Sequence, residues 1–122
     1  MTRSAIRPNS GGGASGTALG ATQLTELREL LEQQRRFRLE QLEQLQTTAA
    51  PGELSTGDRE ITDSLVAGAR AALRDVLDAL QRMDDGRYGS CRRCGTVLEP
   101  ARLEVLPQVS LCVTCQRADQ SG

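Results

Sequence analysis

Cys91-Arg92-Arg93-Cys94 and Cys112-Val113-Thr114-Cys115 decide how this chain folds. They are two C-x2-C hooks separated by seventeen residues, and they hold all four cysteines of a chain that has no histidine. A C-x2-C turn sets two thiolates on one edge of a tetrahedron, and a second hook supplies the opposite edge, which is the geometry zinc prefers. Cys91, Cys94, Cys112 and Cys115 are therefore expected to bind one structural zinc ion. Gly95 follows the first hook, where the backbone must pass close to the sulfurs. The second hook is followed by Gln116 and is expected to run into a short C-terminal helix. Iron suits the same four sulfurs. Disulfides belong to a secreted framework, and a redox hook belongs to a βαβ unit. The N-terminal residues show no apolar leader core and the pattern holds no βαβ unit. With four sulfur ligands no position is left open for a catalytic water.

Working outward, 122 residues bound the chain to one small domain and tails. Phe37 and Tyr88 are its only aromatic side chains, so a large conventional core is not expected, and metal binding must supply folding energy at the hooks. No stretch approaches the ~20 apolar residues of a membrane span, which favours a cytoplasmic location. Net charge is −1 with every base an arginine, and four thiolates with one dication take it to −3. Arg92, Arg93, Arg102 and Arg117 lie near the cysteines and offset part of that charge. An acidic chain without a basic stripe is a poor duplex binder, so the zinc module is not expected to read DNA sequence. No histidine, nucleophile–base pairing or phosphate-cradling loop marks an enzyme.

Residues 1–20, with Ser10-Gly11-Gly12-Gly13-Ala14-Ser15-Gly16, read as a disordered tail. Thr22 to Gln46 is free of glycine and proline. Leu24, Leu27, Leu31, Leu42 and Leu45 keep helical spacing there, with Leu30 and Phe37 beside the seam and Gln34, Arg38 and Gln41 interrupting it. Thr22 suits the N-cap. Ala50-Pro51-Gly52 and Ser55-Thr56-Gly57 are turn chemistry. From Asp58, a candidate N-cap, to Asp85 the stripe Ile61, Leu65, Ala69, Ala72, Val76, Leu80 and Met83 predicts a second helix, widened by Leu73 and Leu77. Neither stripe can be buried alone, so the helices are expected to pair as an antiparallel coiled-coil hairpin. The expected fold is all-α with a small zinc module. The hairpin covers 21–86 with its tip at 48–60, the four-cysteine finger covers 87–118, and 119–122 is a tail. At ~1.5 Å per residue each arm reaches on the order of 40 Å, a rod with a metal at its base. Tyr88 is expected to pack on the zinc module, and Pro100 and Pro107 to shape the loop between the hooks.

Gly86-Arg87-Tyr88-Gly89-Ser90-Cys91-Arg92-Arg93-Cys94-Gly95, with Ala101-Arg102-Leu103-Glu104-Val105-Leu106-Pro107 and Leu111-Cys112-Val113-Thr114-Cys115, resembles the zinc finger of the DksA/TraR transcription factors. The run from Asp84 to Cys115 follows the family pattern nearly throughout. The hairpin before it agrees in architecture, so the resemblance covers roughly residues 22–118.

The resemblance implies a regulator that inserts its hairpin into the secondary channel of bacterial RNA polymerase without reading DNA, and alters the lifetime of open complexes. It implies a monomer whose acidic tip approaches the catalytic magnesium region, while the finger grips the outer rim. The tip residues this carries over are Asp58 and Glu60, and the rim residues are Arg92 and Arg93, which otherwise balance thiolate charge. Ser55 stands where the family has its first tip acid, and Glu60 where it has a small alanine. The arm is also shorter than the best-known member's by about two helical turns. The family's ppGpp contacts fall on Asp75, Leu106 and Gln116, none of them a cation, so regulation independent of ppGpp is expected. Two other readings remain: a zinc-knuckle hairpin adaptor docking on another protein, and a thiol redox sensor that releases zinc on oxidation.

Overall fold

The computed structural model describes residues 19–48 and 55–121. The expected tail at 1–18, and the part of the expected tip at 49–54, lie outside the described residues. Among the described residues four helices follow in order: α1 Ala21–Thr48, α2 Thr56–Asp84, α3 Pro100–Val105 and α4 Val113–Ser121. Among the described residues none is long and apolar enough to cross a membrane.

The long helices α1 and α2 pack antiparallel. Leu27 and Leu31 near the start of α1 share one buried cluster with Val76, Ala79 and Leu80 near the end of α2. Arg28 Nη2 reaches Asp84 Oδ1 at 3.0 Å across the same end. The finger adds a third layer here: Tyr88, Cys91, Leu98, Leu103 and Leu111 join the cluster. Farther out the pairing has no such cover, and Ile61 and Leu65 stand 61% and 50% exposed. The apolar period of α2 is therefore helical throughout, but beyond Ala69, which is buried, its large apolar side chains Ile61 and Leu65 lie exposed.

The helix ends correct two expectations. Ser55, not Asp58, caps α2: its extended backbone (ψ 167) lets Oγ accept from the Asp58 N–H at 3.1 Å. Asp58 lies inside the first turn, where its carboxylate complements the helix dipole. Serine is a strong N-cap, and the two-residue shift follows because Thr56 and Gly57 tolerate helical geometry at the first turn. Thr22 likewise lies inside α1, which begins at Ala21, and Gln23 Oε1 accepts from the Gly20 N–H at 3.1 Å.

At its other end α2 closes in a Schellman motif. The Gly86 N–H donates to Met83 O at 3.2 Å and the Arg87 N–H to Arg82 O at 2.8 Å. Gly86 takes φ +75, a left-handed position that favours glycine. The motif turns the chain from the hairpin into the finger. Arg82 braces this corner from inside. It is 3% exposed, donates Nη1 to Asp78 Oδ2 at 2.9 Å and Nη2 to the Val109 carbonyl at 3.3 Å, and lies over the Tyr88 ring.

Candidate metal centre

The first hook grows from a minimal antiparallel bridge between Ser90 and Val97. Leu98 N–H donates to Gly89 O and Cys91 N–H to Thr96 O, each at 2.8 Å. The Gly95 N–H closes the knuckle on Cys91 O at 2.9 Å, and Gly95 takes φ +81, as its place after the hook predicts. The second hook opens α4 directly, as expected: Cys115 lies in its first turn, its N–H on Cys112 Sγ at 3.4 Å, and Gln116 N–H bonds Cys112 O at 2.9 Å.

Three residues, Arg92, Arg102 and Tyr88, brace the two hooks. Arg92 N–H donates to Ser110 O at 2.8 Å and Arg92 Nε to Ser110 Oγ at 3.1 Å. Arg102 on α3 donates to Leu111 O and to Gln116 Oε1, both at 2.6 Å, straddling the second hook. Tyr88 Oη donates to Pro107 O at 2.8 Å. Pro100 is the first residue of α3, a position where the missing N–H costs nothing.

The four sulfurs converge, all within 4.8 Å of one another, and are positioned to bind one metal ion. Cys91 is buried and Cys94 exposed, so the centre opens to solvent on one edge. Burial pushes the Cys91 thiol up, but N–H groups of Cys94, Cys112 and Arg93 outweigh it and hold it at about 6. The Thr96 hydroxyl, 3.1 Å from Cys94 Sγ, holds that thiol down. Cys115 is pushed up to about 12, chiefly by the neighbouring Cys112 sulfur. Four thiolates cannot ionise together unaided; a dication among them expels the protons. Sulfur-only, closed tetrahedral ligation is that of structural zinc.

The other predicted residues fall in two places. Asp58 and Glu60 are exposed at the start of α2, at the end of the hairpin remote from the cysteines. Arg92 and Arg93 are exposed on the finger, and Arg93 pairs with Asp119 of α4 at 3.0 Å, so its charge goes to a carboxylate as well as to the sulfur centre. Asp75, Leu106 and Gln116 come together in one concavity of about 310 Å³ between hairpin and finger, which Asp119 and Arg92 also line. Sequence reasoning missed Arg82. Its spacing of three from Ala79 and six from Val76 places it on the buried face, a signal obscured by reading an arginine as solvated.

Comparison with known proteins agrees with this geometry. Residues 86–120 match the family described as prokaryotic dksA/traR C4-type zinc finger. A protein of Aquifex aeolicus (strain VF5), described as uncharacterized, is 35% identical over 60 residues, 49% of this chain and 41% of its own length. The chain thus spans less than half of that relative. The structure of transcription factor DksA2 from Pseudomonas aeruginosa superposes with a TM-score of 0.69 at 23% identity, covering 83% of this chain and 85% of that one. That likeness establishes a shared fold, a helical hairpin with a small module at its base. Residues 86–120 are thus similar to the C4-type zinc finger of the dksA/traR family.

Proposed function

We propose that this protein is a transcription regulator that binds bacterial RNA polymerase through its secondary channel, without reading DNA, and alters the stability of open complexes. The observation that carries the reading is the pairing of a dksA/traR finger with a DksA2-like hairpin whose remote end exposes Asp58 and Glu60. A carboxylate delivered close to a catalytic magnesium perturbs its charge and its bound groups at short range. Arg92 and Arg93 would meet the outer rim of the channel. A regulator of this kind has no catalytic centre of its own, and acts as a monomer in the cytoplasm.

The concavity that joins Asp75, Leu106 and Gln116 supports independence from ppGpp. Asp75 and Asp119 both border it, and two carboxylates there repel a polyphosphate.

The test is capture of bacterial RNA polymerase by the zinc-loaded chain, with Asp58→Asn alongside it in open-complex lifetime assays. The expected result is that both bind and only the unsubstituted chain shifts the lifetime. Failure to bind polymerase would move the function to an adaptor with another protein partner. The exposed apolar residues Phe37, Ile61 and Leu65 on the outer hairpin favour that second reading.

A further inference from the structure

A second concavity, of about 290 Å³, lies at the foot of α2, bounded by Arg82, Gly86, Arg87, Ser90, Cys91 and Arg92. Three of these six residues are arginines and none is acidic. We propose that this concavity is a binding site for a phosphoryl group, formed by the guanidinium groups of Arg87 and Arg92 with the buried positive charge of Arg82 behind them.

Each arginine brings a separate reason. Arg82 is a buried cation whose single carboxylate partner, Asp78, has a side chain 56% exposed. Water weakens that pair, so the buried charge is incompletely balanced from within the chain. Its Nη atoms are bonded to Asp78 and Val109 and its Nε is sealed from solvent, so it contributes charge to the site and no direct bond. Arg87 is tied to Asp85 at 3.0 Å, with the two side chains 64% and 40% exposed. An exposed pair of that kind contributes little and is readily exchanged for a better anion. Arg92 has no acidic partner among the described residues, while its Nε bond to Ser110 holds the guanidinium in place.

Guanidinium groups are planar forks that match the oxygens of phosphate two at a time, which selects a phosphoryl group over a spherical anion. Gly86 adds access, since it presents backbone without a Cβ at the wall. Salt screens the attraction between these exposed guanidinium groups and a phosphoryl anion, so affinity falls as ionic strength rises. Arg92 lines both this concavity and the one bordered by Asp75, Leu106 and Gln116, so the two share a wall; the phosphoryl site stands whether or not the chain binds polymerase.

The test titrates the zinc-loaded full chain with inorganic phosphate and follows the backbone amide resonances, with sodium chloride at matched ionic strength as control. The expected result is saturable shifts centred on Gly86, Arg87 and Arg92 that chloride does not produce. Arg87→Ala should weaken the apparent affinity by about tenfold, and Arg87→Lys by less. Arg87 is largely exposed, so its removal leaves the fold intact, as retained zinc stoichiometry would verify. Absence of saturation, an equal response to chloride, or unchanged affinity in Arg87→Ala would each overturn the site. Phenyl phosphate forms a second arm: binding as tight as inorganic phosphate identifies a phosphoryl group carried on a larger molecule, and exclusion identifies the free ion.

Discussion

The two halves of the hairpin carry the same apolar period and meet different fates. Next to the finger, Leu27, Leu31, Val76 and Ala79 are at most 2% exposed. Toward the other end Phe37 is 58% and Ile61 61% exposed, and Gln34, Arg38 and Gln41 sit half-buried along the seam. Two helices alone cover one narrow stripe of each other; a third layer closes the core. Here that layer is the finger, and the finger depends on its metal. Folding stability is thus concentrated at the metal end, while the outer half is left free to present side chains.

Removing the metal should break the contrast most severely. Structural zinc contributes on the order of 10 kcal/mol to such modules. Chelation, or Cys112→Ser, is expected to unfold residues 86–120 and to expose Leu27, Leu31 and Val76. Amide hydrogen exchange would register protection lost at the base of the hairpin. Preserved protection there would show that the two long helices hold the base without the finger.

Paired truncations sharpen the same comparison. Leu31 is fully buried, so Leu31→Ala should cost about 2–5 kcal/mol. Leu65→Ala at a half-exposed site should cost less than about 1 kcal/mol. Urea midpoints of the zinc-loaded variants measure both, and equal costs would mean that the outer half is covered in solution.

A further effect, confined to alkaline pH, concerns Tyr88. Burial raises its hydroxyl to about 12 from an ordinary 10.0. The folded chain therefore keeps a proton that the unfolded chain loses, so this contribution is intact below pH 10 and declines as pH rises from 10 through 12. Alkaline unfolding of Tyr88→Phe should lack that decline, at the cost of about 1 kcal/mol at neutral pH for the lost bond to Pro107.

Much of this was legible in the chain because metal ligation and helical periodicity are local signals. The spacing of the hooks foretold one centre, and Gly95 and Gln116 foretold how each hook continues. The hairpin followed from stripes that cannot be buried singly. What escaped was set by tertiary context. The burial of Leu31 against the exposure of Leu65 depends on where the finger folds back. Arg82 hides among apolar neighbours because the carbonyl it reaches, that of Val109, comes from distant sequence. The capping serine was passed over because an aspartate three residues later offers the same chemistry.

Arg82, fastened to Asp78 on its own helix and to Val109 in the finger, also makes the molecule a lever. With an arm on the order of 40 Å, a tilt of about 10° at this corner carries the remote carboxylates about 7 Å. One buried guanidinium thus sits at the fulcrum of a long arm, where a small change of angle is magnified at the other end of the protein.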